Sequence, residues 1–326
     1  MPRKKIAYFN CTGINAHIGC LAVTDSHLRA LLRLGYDIPY VYHTYETRFI
    51  RNADRAKSLQ IVAESKIFYD IQDVDAVVIN GEGTIHHHGG QDFLAISELA
   101  QKMGKPVYLV NCVIQEVEGY DDVMAKMTDF TVRESRSSDY LKTKNIEHRI
   151  VLDSVIEANF SDLATEDFTN KIICTDWHPQ RDKDVGVAMV KFMEELQTKE
   201  NFEFFLFHHW SYIENEKWRH VVANLKTAKC VITGRHHGMY AAGLAGVPFV
   251  VLPSNTYKIE GTIAMSGLPI PFCSTYSELG YMMDYAINNP SVFKEFQSFL
   301  LSSKPHSTFD NLAKNLPNES ARNELE

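Results

Sequence analysis

The residues best suited to chemistry lie in the run Thr233-Gly234-Arg235-His236-His237-Gly238-Met239. A strand-like apolar run, Cys230–Thr233, precedes it, and a helix-like run from Met239 to Leu244 follows. The start of a helix offers unbonded N–H groups and a positive dipole end to an anion. The planar guanidinium of Arg235 matches carboxylate or phosphate oxygens at two points. His237 or His236 can donate a hydrogen bond or move a proton near neutral pH. Lys258, after the next strand-like run, adds a second positive charge. The plainer alternative is a salt-bridged arginine beside surface histidines. Strand end, helix start and residue types agree, and that agreement favours an anion site.

A second segment follows the apolar run Ala76–Asn80 and reads Gly81-Glu82-Gly83-Thr84-Ile85-His86-His87-His88. Gly81 and Gly83 let backbone approach a ligand, Thr84 can donate to it, and Glu82 is an acid/base candidate. His86 opens three consecutive histidines, whose side chains point in different directions, so no metal site is expected from them. A third segment, Gly13 to Gly19, is a turn opening a helix, with Asn15 as its binding candidate; it is not GxGxxG. In a fourth, Arg133 ends a strand and Ser135 can cap the next helix, so a local ion pair of Arg133 with Glu134 competes evenly with ligand binding. His178, beside Trp177 at the end of another strand, could help hold a sugar.

These segments need a scaffold that brings strand ends together. Short apolar runs alternate with amphipathic stretches along the whole chain: Ile6–Asn10, Cys20–Leu34, Ile38–Tyr42, Ala76–Asn80, Asp92–Met103, Pro106–Cys112, and so on through Pro248–Leu252. Such alternation predicts parallel sheets covered on both faces. With 326 residues two domains are expected. They are an N-terminal one over 1–155, a polar linker over 156–170, a C-terminal one over 171–302, and a tail over 303–326 holding a last short helix. The fold class is α/β, with two Rossmann-like doubly wound domains facing a cleft and ligands at the carboxyl ends of the strands.

The net charge of -8 argues against a nucleic-acid partner, since phosphate backbones reward a basic surface. The apolar stretch Ile6–Phe9 is too short for a signal peptide, and the six cysteines form no CxxC pair. A cytoplasmic protein is expected.

At these motifs the chain resembles the polysaccharide pyruvyl transferase family, by order and spacing over nearly its whole length. The resemblance rests on the glycine-containing first loop, on Val77-Val78-Ile79-Asn80-Gly81-Glu82-Gly83-Thr84, and on Val132-Arg133-Glu134-Ser135-Arg136-Ser137. It rests most on Arg235-His236-His237 followed by Gly246-Val247-Pro248 and Lys258. It implies a GT-B-like architecture with acceptor on the N-terminal side and donor on the C-terminal side. The donor implied is phosphoenolpyruvate, with no metal or organic cofactor. The product would be a pyruvate ketal on a hexose of a surface glycan or its lipid-linked precursor, made at the inner face of the membrane. Arg235, His237 and Lys258 match the family's Arg, His and Lys. Two positions depart from the usual pattern: Gly19-Cys20 stands where Gly-Asp is common, and Glu82 stands in the middle of a motif that often reads GGG. The rival enzyme is a GT-B glycosyltransferase using a nucleotide sugar. The rival non-enzyme is a glycan-binding scaffold.

Overall fold

The structure, a computed structural model, describes every residue except 1, 15–16, 52, 159–162, 178–188, 190, 197, 199–200, 206–216, 303–307 and 319–326. By its contacts the chain divides into two units. One comprises residues 1–14, 24–154 and 305–326, and the other residues 15–23 and 155–304.

The first unit is built on a six-stranded parallel sheet. Its strands are β1 (Lys5–Cys11), β2 (Asp37–His43), β3 (Ala76–Asn80), β5 (Val107–Cys112), β7 (Asp129–Val132) and β8 (Arg149–Ile150). A two-stranded parallel pair, β4 (Ile85–His86) with β6 (Ile114–Gln115), stands beside it. The order in the large sheet is β2-β1-β3-β5-β7-β8. Strands β3, β5 and β7 are buried along their full length, as a sheet covered on both faces requires.

Period-two alternation sends successive side chains to opposite faces. Ile6, Tyr8, Val78, Tyr108 and Val110 share one core with Ala30 and Leu31 of α1 (Ile18–Arg33). Ala7, Phe9, Val77, Ile79, Leu109 and Phe130 share another. That second core includes residues of α2 (Arg55–Ala63), α3 (Lys66–Gln72), α4 (Gln91–Lys102), α5 (Asp121–Met124) and α6 (Ser135–Thr143).

The second unit has a four-stranded parallel sheet. Its strands are β9 (Ile172–Thr175), β10 (Phe202–Phe205), β11 (Cys230–Thr233) and β12 (Phe249–Val251), in the order β10-β9-β11-β12. Among its helices are α7 (Lys217–Leu225), α8 (His236–Ala245), α9 (Lys258–Ser266), α10 (Leu279–Asn288) and α11 (Pro290–Ser302). Helix α8 is buried all round, which its composition of glycine, alanine, leucine and methionine permits.

In each sheet the strand order reverses direction at one point, between β1 and β3 in the first and between β9 and β11 in the second. Chain leaving the carboxyl ends of two such strands turns to opposite sides, which opens a crevice for a ligand.

The polar C-terminal segment ends in α12 (Asp310–Asn315), which docks on the first unit. Phe309 and Leu312 join the core beside α1, and the Tyr36 hydroxyl donates to the Leu316 carbonyl at 2.7 Å. Beneath them runs a buried polar chain. The His27 ring meets the Tyr8 hydroxyl at 2.9 Å through Nδ1 and the Ser154 hydroxyl at 2.8 Å through Nε2. Ser154 in turn lies 3.2 Å from the Thr308 hydroxyl. No helix among the described residues is long and apolar enough to cross a membrane.

Burial pushes His27 down from the usual 6.5 to about 4, against a smaller opposing effect of the Asp153 charge. The unfolded chain therefore takes up a proton below pH 6.5 that the folded chain refuses until about pH 4. The stabilisation is complete above this window and lost as pH falls through it, on the order of 3 kcal/mol in all. Urea unfolding should show stability falling between about pH 7 and about pH 5, with a shallower slope in His27→Gln. Equal slopes in the two proteins would contradict this role for His27.

Candidate functional site

In the second unit the salient residues gather where β9 and β11 end. Thr175 and Thr233, the last residues of these neighbouring strands, join hydroxyls at 2.6 Å. The Arg235 backbone N–H donates to the Thr233 hydroxyl at 3.1 Å, which bends the chain out of β11. A Cβ at Gly238 would lie 2.2 Å from that hydroxyl, so only glycine lets α8 begin this close to the strand.

Arg235 is the N-cap of α8, with extended backbone (φ -103°, ψ 132°) and no side-chain capping bond. Its Nε donates to the Asp176 carboxylate, just beyond β9, and both side chains are largely buried. A charge-assisted bond of this kind fixes the plane and direction of the guanidinium. His236 and His237 occupy the first turn of α8 and are buried. His236 packs on Tyr240 with ring centroids 4.9 Å apart. His237 sits 5.4 Å from the His17 ring. Lys258, the first residue of α9, is buried with its Nζ on the Asn255 side chain. Since β11 and β12 are parallel neighbours, Arg235 and Lys258 both follow the carboxyl edge of one sheet.

The first unit gathers its polar residues at the equivalent reversal. Asn10, near the end of β1, donates through Nδ2 to the Thr84 hydroxyl at 3.0 Å, and its Oδ1 accepts from Thr44 at 2.9 Å. Thr84 donates to the Gly81 carbonyl at 2.7 Å, closing the turn. Glu82 is buried in the left-handed region (φ 34°) and accepts a 3.3 Å bond from Asn80 Nδ2. His86 spans the same loop, its Nε2 2.9 Å from the Gly83 carbonyl.

The sequence profile of the polysaccharide pyruvyl transferase family matches residues 17–256. The chain belongs to that family. Within the matched span lie Arg235, His236, His237, Glu82 and the turn from Gly81 to Thr84, while Lys258 falls two residues beyond it. No curated protein matches the chain.

Among solved structures, a UDP-N-acetylglucosamine 2-epimerase has a TM-score of 0.61 at 12% identity, covering 97% of this chain and 96% of its own. The UDP-GlcNAc 2-epimerase from Neisseria meningitidis has a TM-score of 0.57 at 12% identity, covering 96% and 98%. A glycotransferase of kitacinnamycin has 0.56 at 13% identity, covering 97% and 100%. The fold is therefore GT-B-like, and the family makes the chain a transferase.

Several expectations change at the level of single residues. Arg133 pairs with Asp153 rather than Glu134, and both members of the pair are almost fully buried within the first unit. Burial on this scale makes the pair part of the core, because an arginine there needs a carboxylate beside it. Glu134, not Ser135, caps α6, accepting from the backbone N–H groups of Arg136 at 2.6 Å and Ser137 at 2.9 Å. Burial raises the Glu134 carboxyl, against those bonds. Arg235 is salt-bridged, to Asp176, as the plainer alternative has it, but His236 and His237 are not surface residues. Asn15 and His178 lie outside the described residues.

Sequence reasoning passed over Asn10 and Asp176. Asn10 is the polar residue next to last in β1 and Asp176 the first residue beyond β9, and a polar residue at the end of an apolar run beside the reversal point is the signal that identifies them.

The structure gives Gly81 a packing reason as well as a binding one, since a Cβ there would lie 1.8 Å from Cys112 Sγ. Gly81→Ala should cost about 1–3 kcal/mol in urea unfolding, as overpacking does. The loss should shrink in a Cys112→Ala background, where the clashing atom is gone. An undiminished loss would mean that Gly81 is required for another reason.

Proposed function

We propose that the chain transfers the pyruvyl unit of phosphoenolpyruvate to two hydroxyls of a hexose, forming a cyclic ketal on a surface glycan or its precursor. The observation that carries this reading is the pair of Arg235 with Asp176 at the start of α8, with His237 buried in the first turn of the same helix. Membership of the pyruvyl transferase family supports it.

The donor is small, carries a carboxylate and a phosphate, and becomes electrophilic at C2 only when its methylene carbon gains a proton. A site for it needs fixed positive charge, a proton donor and, later, a proton acceptor. Arg235 and Lys258 supply the charge, and the N–H groups opening α8 add to it. His237 gives its proton to the methylene carbon. One sugar hydroxyl then bonds to C2, its proton passing to a base, for which His236 is the candidate on the same helix. The second hydroxyl bonds to C2 as the C–O bond to phosphate breaks; inorganic phosphate leaves with the electron pair and takes up that hydroxyl's proton, while the proton held by the base restores His237. The sum is phosphoenolpyruvate plus a diol giving a ketal plus phosphate, with no change of oxidation state. The chemistry calls for no organic cofactor. A lipid-linked acceptor would bring the protein to the inner face of the membrane as a peripheral visitor.

Phosphate release from phosphoenolpyruvate, followed across a panel of hexose acceptors, tests the reaction. Release dependent on one acceptor is expected. Arg235→Ala should lower kcat/KM by at least about 100-fold, as loss of a group that stabilises developing charge does, while circular dichroism stays unchanged. Wild-type-like turnover in that variant would remove Arg235 from the mechanism. Turnover of a nucleotide sugar instead would transfer the site to glycosyl chemistry.

A further inference from the structure

His17, Cys20 and His237 come together within the second unit. His17 immediately precedes α1 and Cys20 lies in its first turn, a three-residue spacing that brings both side chains to one side of the helix. His237 comes from the first turn of α8. One ring nitrogen of each histidine and the Cys20 sulfur all lie within 4.8 Å of one another. The backbone joining His17 to Cys20 is pressed against the His237 ring. A Cβ at Gly19 would stand 2.2 Å from both Cγ and Nδ1 of that ring, so glycine is what allows the approach. Cys20 also differs from the other five cysteines, all of which are buried, in being half-exposed.

We propose that His17, Cys20 and His237 bind one thiophilic divalent cation of the Zn2+ class. The donor set decides the class of ion. Two imidazole nitrogens and a thiolate suit a borderline-soft metal, whereas Mg2+ and Ca2+ require oxygen ligands that this trio lacks. Around a tetrahedral zinc, with bonds of about 2.0–2.3 Å, ligand atoms sit about 3.5 Å apart. Side-chain rotation of about an ångström closes the trio onto an ion. Three protein ligands leave a fourth position for water or an anionic oxygen, the pattern of open rather than purely structural zinc sites. Binding is a ligand exchange without redox change, and while the ion is held His237 serves as its ligand and not as the proton donor to phosphoenolpyruvate. The Cys20 thiol gives its proton to solvent and a sulfur lone pair to the ion, each imidazole gives a nitrogen lone pair, and water leaves the metal.

The test uses the full chain, stripped with a chelator and titrated with Zn2+ against a chromophoric competitor, then with Co2+ as a spectroscopic probe. One ion per chain is expected, with a thiolate-to-cobalt charge-transfer band in the near ultraviolet. Cys20→Ser should abolish the band. Cys20→Ser and His17→Ala should each weaken Zn2+ binding by more than about 100-fold, beyond the effect of outer-shell changes. Absence of one-to-one binding, a cobalt spectrum without the thiolate band, or unchanged affinity in both variants would overturn the proposal. The readout is independent of turnover. A chain that binds the ion but, once stripped of it, releases no phosphate from phosphoenolpyruvate with any acceptor would keep this site and refute pyruvyl transfer.

Discussion

Arg235 and Asp176 meet because β9 and β11 are neighbours at the point where the strand order of the second sheet reverses. A guanidinium brought to the carboxyl edge of a sheet would otherwise sample many rotamers. The carboxylate from the adjacent strand end holds it by a charge-assisted bond in a largely buried setting. The joined hydroxyls of Thr175 and Thr233 keep the two strand ends in register beneath it. Gly238 then lets α8 start directly above Thr233, so the helix presents its positive end beside the same arginine. Charge, helix dipole and two histidines are thus concentrated by one accident of strand order, and the chemistry proposed for the chain depends on their being fixed there.

The first unit solves the same positioning problem without charge. At its reversal point Asn10 takes the place that the Arg235–Asp176 pair holds in the other unit, tying the end of β1 to the turn after β3 through Thr84. Asn10 itself sits at φ 58°, and Asn111 at the end of β5 at φ 59°, a conformation asparagine tolerates better than most residues. The result is an edge rich in hydrogen-bonding groups, with the Glu82 carboxyl buried in it.

Most of the scaffold could be read from the chain because buried parallel strands are short, apolar and evenly spaced. The runs Ala76–Asn80 and Cys230–Thr233 coincide with β3 and β11 to the residue. Helices α2 and α3 were harder to see, since only Val62 and Ser58 of the first, and Ile67 and Ile71 of the second, are buried. Their signal lay in the caps: Asp54 accepts from the Lys57 N–H at 2.8 Å and Ser65 from the Ile67 N–H at 3.2 Å. Helix α12 is the short helix expected in the tail, although few of its residues touch the core. At the site, residue types and strand ends identified Arg235, His237 and Lys258. Ion-pair partners did not follow from sequence, as Arg133 shows: its carboxylate is not the adjacent Glu134 but Asp153, brought in by the chain beyond β8. The meeting of Cys20 with His237 is invisible for the same reason, since tertiary packing alone joins two helix starts so distant along the chain.

The account rests on a small enol phosphate being the ligand that the Arg235 edge receives. Thermal unfolding of the full chain with phosphoenolpyruvate, CMP, UDP or GDP measures this directly, because a ligand that binds only the folded state raises the melting temperature. Stabilisation by phosphoenolpyruvate and by none of the nucleotides, lost in Arg235→Ala, is the predicted result. Stabilisation by a nucleotide with no response to phosphoenolpyruvate, or a response that Arg235→Ala leaves intact, would contradict it.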